Sequence, residues 1–555
     1  MKTSLLIQKT SRIKQLIFAA FICVLLLSFN SCLSGEKKGT KNEGENEPKP
    51  ETNSIELVNE DNNTYSFFGA NAAQVPHDVP TKADSTQVAL STFAWQEFIA
   101  LNWPSTYNTS THERGKPDLT KSVSDFLSPS STGQLVWQTY KHRVEMYPRD
   151  TTKFINTFDS APQYFYDLES GQKSILGLNS TKPLNSITTV FNNLDETSEI
   201  NLCTLFVEGD SLAPGAGKYK NPDTASGLPG APRRMIYEAK GNRDMFDYVK
   251  NYKLYDSLTR VTKIKNTEKA IKNDGKGAVY PNKNIDSTLI VFPFGDNNGV
   301  EGSIEIKATW RQLTLKEYNS KRYLTAPIIY YRNIPKNEKS VAYYDIVPGE
   351  PTYDTNNTLK TLPYGLVGLH IIHKTKTFPS YVFATFEQID NLSTTIEPLN
   401  TLFFYNRNND LNTNKQYVFD RSKPILEGTK QVNAEVHKQI RALNTSSVWQ
   451  YYKLIGVQGH PQNNANTTDY FLSNIVTETN QTLRNFAGTL NNNTGLPNLT
   501  AINLYQGKKV FVQGGCKGCH GNAQDADFSF ITKNAPFDGE PDFINQPLVE
   551  DTKGN

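Results

Sequence analysis

Cysteine is scarce in this chain, with five in 555 residues: Cys23, Cys32, Cys203, Cys516 and Cys519. Cys516 and Cys519 share one short motif, Cys23 lies in an N-terminal leader and Cys32 directly follows it, so no disulfide framework can be built. Cys203 sits in an apolar run, Leu202-Cys203-Thr204-Leu205-Phe206, and reads as a buried, inert thiol. There is no strong excess of charge of one sign. The 58 basic residues stand against 56 acidic ones, and removal of a leader carrying Lys2, Lys9, Arg12 and Lys14 takes the basic count below the acidic one. That excludes the electrostatic footprint of a nucleic-acid partner. The chain also lacks a recognisable nucleotide-binding glycine loop, a zinc-protease helix and a nucleophile elbow.

Long apolar runs are equally rare. The one that stands out, from Leu16 to Leu27, is too short to span a bilayer comfortably and follows basic residues. With Ser28-Phe29-Asn30-Ser31-Cys32 after it, residues 1–31 read as a secretory signal of the bacterial lipoprotein kind, with Cys32 as the lipidated first residue. Residues 32–63, rich in Gly, Lys, Glu, Asn and Pro, then form a solvated tether. The implied location is the bacterial cell envelope, periplasm-facing or on the outer membrane, held through the lipid on Cys32.

What the chain does have is enough apolar and aromatic material, 37% and 11%, for a large core. Residues 64–485 read as an α+β body with a β-rich centre flanked by helices. Ala94 to Trp103 has helical spacing and is stopped by Pro104, and Leu135–Tyr140 suggests a second helix with an aromatic face. Residues 207–232 read as a long loop, and Arg243–Lys272 as polar helix. Gly302–Trp310 alternates, with Ile304, Ile306, Ala308 and Trp310 on one face, the pattern of a half-buried strand. Thr325–Tyr331, Gly365–Ile372 and Tyr381–Phe386 are strand-like. Helices are expected again from Val432, at Val448–Leu454 and at Tyr470–Phe486. Trp95, Trp103, Trp137 and Trp449 read as core packing rather than a cofactor cage.

The chemistry is concentrated in residues 486–555, in Gly514-Gly515-Cys516-Lys517-Gly518-Cys519-His520-Gly521. Two thiols three residues apart can add to the two vinyl groups of one haem, and the adjacent His520 then falls beneath the iron. Asn503–Phe511 resembles the short helix that leads into such a site in class I cytochromes c. A zinc site lacks two further ligands nearby, and a redox dithiol lacks a thioredoxin-like surrounding. The expected cofactor is therefore a single, covalent haem c.

The sixth ligand is less evident. Residues 521–555 contain neither Met nor His, so a second axial ligand has to come from the body, or the iron keeps an open position. The candidates are His77, His112, His142, His370, His373, His437 and His460, then Met146, Met235 and Met245, with Lys533 as a local outsider. His370 is favoured because a strand would fix its direction.

Several stretches resemble, together, a family of large bacterial proteins named only cytochrome c family proteins. They are Trp95–Pro104, Glu305–Trp310, Gly368–Thr375, Ala384–Glu387 with Asn391, and Gly518-Cys519-His520 followed by Ala526–Phe530. The resemblance covers most of residues 90–535 and implies an envelope haem protein without implying a substrate. The family pattern has aromatic residues where this chain has Tyr381 and His460, which weakens a special role for His460. Among polar residues in these stretches, Lys307 should be solvated or ion-paired, and Glu387 could meet Lys307 or Lys374. Electron transfer with an unidentified redox partner protein is the leading expectation. A haem-dependent oxidoreductase of peroxidase or oxidase type is the first alternative. A surface ligand-binding lipoprotein with a structural or sensor haem is the second.

Overall fold

A computed structural model describes residues 65–164 with short gaps, 190–197, 235–274, 287–391 with two short gaps, 425–459 and 520–535. It also describes short strands at 205–207, 403–405, 502–505 and 508–511 and the single positions Leu472, Asn474, Thr477 and Cys516. The leader, Cys32, the tether, Cys203, most of the 207–232 loop, His460, Cys519 and nearly all of 470–486 lie outside the described residues.

The first long helix, α1 (Gln87–Leu101), starts where the Thr86 side chain accepts a hydrogen bond from the amide of Ala89, and it ends at Asn102, two residues before Pro104. Its residues are apolar almost all round, and ten of its fifteen are buried. The central sheet has seven antiparallel strands: β1 (Lys141–His142), β2 (Glu196–Thr197), β3 (Ile236–Gly241), β4 (Ile304–Gln312), β5 (Tyr364–His373), β6 (Val382–Gln388) and β7 (Tyr452–Gln458). The order is β1-β3-β4-β5-β6-β7, with β2 also paired to β3. Helices α2 (Arg243–Asn251) and α3 (Ser257–Asp274) fall between β3 and β4, and α4 (Glu427–Leu443) precedes β7. Mixed helix and strand around an antiparallel sheet makes the body α+β.

The core lies on one face of this sheet. Ile304, Ile306, Ala308 and Trp310 of β4 point into it beside Leu369 and Ile371 of β5 and Val382, Ala384 and Phe386 of β6. α1 and α4 cover that face, locked by Trp95 Nε1 donating to Asn433 Oδ1 at 2.9 Å and Asn433 Nδ2 donating to the Leu454 carbonyl at 2.9 Å. Trp95, Trp103, Trp137 and Trp449 all belong to this core.

Four local expectations are corrected. Leu135–Tyr140 forms only one short 3-10 turn, Trp137–Thr139, because the Val136 amide is taken by the Trp103 carbonyl. Val448–Leu454 is a 3-10 turn, Val448–Tyr451, running straight into β7, whose backbone completes the edge of β6. The polar stretch after Arg243 is two helices, interrupted near Lys253, whose φ of 55° no helix accommodates. The segment expected as a lead-in helix is a pair of antiparallel strands, Ile502–Tyr505 and Lys508–Phe511.

The alternating strand β4 is also not half-buried as its sequence suggested: seven of its nine residues are buried, and all ten of β5 are buried. The second face of the sheet is covered too, and the site lies there.

Candidate haem site on the second face of the sheet

Pairing fixes which side chains share that face. His370 of β5 lies opposite Lys307 of β4 and Thr385 of β6, and Ile372 lies opposite Glu305 and Phe383. An irregularity between Leu366 and Gly368 sets this register. Gly368, next along the face, has Thr309 and Thr477 side chains where a Cβ would crowd, at 3.3 and 3.1 Å.

The C-terminal motif meets this face. Cys516 packs in an apolar cluster with Ile372, Tyr381, Phe383, Leu472 and Phe528, and its amide donates to the Leu472 carbonyl at 2.7 Å. His520 opens a 3-10 segment, Gly521–Ala526, which packs against α3. Phe383 and Phe530 present their edges to the His520 ring, with centres 5.0 and 4.8 Å away. The His520 and His370 ring centres lie 6.5 Å apart, with their planes inclined by 38°.

The nitrogens are arranged unequally. His520 Nδ1 lies 2.7 Å from the Phe528 carbonyl, to which it donates when protonated there, leaving Nε2 for another partner. His370 Nδ1 is buried without a hydrogen-bond partner. Burial, then the charges of His520 and Lys307, hold His370 down to about 3. Burial holds His520 down to about 4, against the opposing effect of the Phe528 carbonyl and with help from Lys307. Both imidazoles are therefore neutral at neutral pH, the form that binds a metal.

The Phe528 carbonyl is held by an unusual piece of backbone. Asp527 and Phe528 both adopt positive φ, 52° and 65°, and so does Tyr381 facing them, at 68°. Asp tolerates this region; for Phe and Tyr it costs on the order of 1–3 kcal/mol each. The Asp527 carboxylate accepts from the Phe292 amide at 2.7 Å and is ion-paired with Lys374, which is fully buried. Ser529 then caps the short helix Phe530–Lys533, and Thr532 of that helix shares a 2.7 Å hydrogen bond with Tyr147. A chain of buried contacts thus runs from the sheet to the carbonyl beneath His520.

The other candidate ligands among the described residues have different surroundings. His142 is buried 3.3 Å from Asp195, His373 is bonded to Glu97 and the Glu301 carbonyl, and His437 lies 2.7 Å from the Tyr452 carbonyl. His112 Nδ1 lies 3.1 Å from the Tyr107 carbonyl, and His77 is only half-buried. Met146 and Met245 have their sulfurs against Gly241 in the core, and Met235 is buried just before β3. Lys533 is ion-paired with Asp525 at 2.6 Å. Lys307 pairs with Glu196 at 3.4 Å, as an ion-paired residue should. Glu387 pairs with Lys453 at 3.4 Å, not with Lys307 or Lys374, because β7 closes over its side of β6.

No known protein family, curated protein or solved structure matches this chain. The site therefore has to be judged on its own geometry. Two metal–imidazole bonds of about 2 Å each, plus roughly 1 Å from each ligating nitrogen to its ring centre, span about 6 Å. The 6.5 Å between the His370 and His520 ring centres is close to that span, so both imidazoles could serve one haem iron. Among the described residues no three His, Cys, Asp or Glu side chains converge on one point. A haem brings four porphyrin nitrogens and asks the protein only for axial ligands. The surrounding Phe, Tyr and Ile side chains supply the apolar walls a porphyrin requires. Sequence reasoning singled out Cys516, His520 and His370 but assigned no role at the site to Lys374, which it offered only as a partner for Glu387, and none to Asp527 or Glu305. Their lone signal was membership of the stretches that carry the family resemblance.

Proposed function

We propose that this chain is a cell-envelope electron-transfer protein carrying one haem c, bound through Cys516 and Cys519 with His520 and His370 as axial ligands. The observation that carries this reading is the closeness of two buried, neutral imidazoles, with ring centres 6.5 Å apart, one of them next to the Cys-x-x-Cys pair. The resemblance to cytochrome c family proteins agrees with it, as does an export signal with a lipid-bearing Cys32 and a tether. A protein that closes both axial positions has no vacant site for substrate on the iron, so one-electron exchange is favoured over peroxidase- or oxidase-like chemistry. When bound, the haem supplies the redox change. The chain's own residues orient it and set its surroundings. The Phe528 carbonyl fixes the His520 ring and increases its donor strength, and the strand pairing of β5 fixes His370. Phe383, Tyr381 and Phe528 exclude water, which favours the less charged, reduced iron.

The test is expression of the full chain with c-type haem maturation. Pigment should remain with the chain after denaturation, and be lost in a Cys516→Ala, Cys519→Ala double variant. The holoprotein should exchange one electron reversibly. Loss of the pigment on denaturation contradicts covalent attachment. Turnover of peroxide by the holoprotein moves the oxidoreductase reading ahead.

A further inference from the structure

Glu305 is a buried acid that the site as described does not use. It lies on the second face of the sheet, two residues along β4 from Lys307, and is 4% exposed. Its register partner on β5 is Ile372 and on β3 is Gly241, so neither neighbouring strand offers it a cation. From the haem-bearing segment, Ser529 hydrogen-bonds it and Asp527 adds a second carboxylate nearby. Tyr381, before β6, and Tyr147 lie within electrostatic range. Tyr248 of α2 faces the same group of tyrosines, and Arg260 of α3 lies over the ring of Tyr147 at 5.4 Å. Lys374 is committed to Asp527. Glu305 Oε1 has no hydrogen-bond partner. The geometry gives the Lys374 ammonium to Asp527, Arg260 stacks on Tyr147, and Glu305 is left without an ion pair of its own among the described residues.

We propose that Glu305 is a redox-linked proton site, which binds a proton when the haem iron is reduced and releases it when the iron is oxidised. The inference rests on the haem reading above. In the step, an electron arrives from a one-electron donor protein and a proton from solvent; one O–H bond forms on the Glu305 carboxylate and none breaks. Oxidation reverses both. The physical cause is charge. A carboxylate without its own cation is stabilised by the extra positive charge of ferric iron and loses that support on reduction. Glu305 stands diagonally across β4 and β5 from His370, a neighbour relation of about 7–8 Å between strands. At such a range in a protein interior, one unit of charge changes a proton affinity by on the order of tenfold. Burial raises the Glu305 carboxyl to about 8, with Asp527 adding to the rise against the hydrogen bond of Ser529. This brings the linkage into the neutral range.

The experiment is a redox titration of the holoprotein between pH 5 and 9, wild type against Glu305→Gln, with a redox-difference infrared spectrum of the wild type. The wild-type potential should fall as pH rises, by about 59 mV for each tenfold difference in proton affinity between the two redox states. Glu305→Gln should lose most of that fall. The infrared spectrum should gain the carbonyl band of a protonated carboxyl on reduction, shifted in heavy water. That measurement needs no variant and decides the matter if Glu305→Gln fails to hold haem. Equal pH dependence in the two haem-bearing proteins, or no carboxyl band in the wild type, overturns this inference alone and leaves Glu305 a structural acid. A matured chain that retains no haem overturns the underlying reading and this inference together.

Discussion

The two faces of the seven-stranded sheet come from the same residues in alternation, yet they are finished differently. On the α1 and α4 face, ionisable groups are paired with one another: Glu238 with Lys240 at 3.1 Å, and His373 with Glu97. Trp310 Nε1 and the carbonyls of Gln138 and Phe191 complete the first pair. Such a face is a core with polar rivets, in which Glu97 Oε2 alone among these four residues lacks a hydrogen-bond partner. On the opposite face, His370 keeps a buried nitrogen without a partner, Glu305 keeps a buried oxygen without one, and three bulky or acidic residues sit at positive φ. Unmatched groups and backbone strain are costs that persist where a site needs them. The difference lies in ion pairing and backbone strain, and it suggests substitutions that should separate the core face from the one that bears the candidate site.

The largest effect is expected where the faces are fastened together. Lys374→Met leaves Asp527 as a buried carboxylate without its cation and should destabilise the fold by about 3–5 kcal/mol in chemical denaturation. It should also release the Phe528 carbonyl from His520. Phe386→Ala, in the core, should destabilise by about 3–5 kcal/mol whether or not haem is attached. Phe383→Ala, on the other face, should destabilise the haem-bearing protein more than the haem-free one, because its ring borders His520. Equal losses in both forms would erase the contrast between the faces.

A pH series sharpens it further. The folded state holds the Glu305 proton up to about 8, whereas an unfolded chain releases it near 4.3. Its contribution is complete below about pH 4 and is lost as pH rises toward 8. Glu305→Gln removes that slope. In the haem-free chain, the variant should gain on the wild type by about 3 kcal/mol between roughly pH 5 and 7.5. A parallel pair of stability curves would mean that Glu305 is ionised when folded. The smallest effect belongs to the core side: Thr86→Ala removes the cap of α1 and should lower stability by about 1 kcal/mol, without moving any property of the haem.

Much of this architecture was legible in the sequence because periodicity reports burial. The alternation of Ile304, Ile306, Ala308 and Trp310 gave the core face of β4, and Pro104 gave the end of α1. Alternation could not reveal that the face bearing Lys307 is roofed by a segment more than 200 residues further on, so a half-buried strand was the natural reading. Val448–Leu454 failed for a related reason: an aromatic run suits a helix until an open sheet edge claims its backbone. The cysteine pair and His520 were plain from spacing alone. Lys374, Asp527 and Glu305 were not, because an ion pair spanning 153 residues leaves no local pattern, and neither does an acid whose significance lies in the cation it lacks.

The central claim is that His520 and His370 share one iron. An optical spectrum of the reduced holoprotein, with and without carbon monoxide, tests it most directly when run beside His370→Ala. The account predicts that carbon monoxide leaves the wild-type spectrum unchanged and binds readily to His370→Ala. A wild type that binds carbon monoxide at once, or a His370→Ala spectrum indistinguishable from it, would contradict the claim.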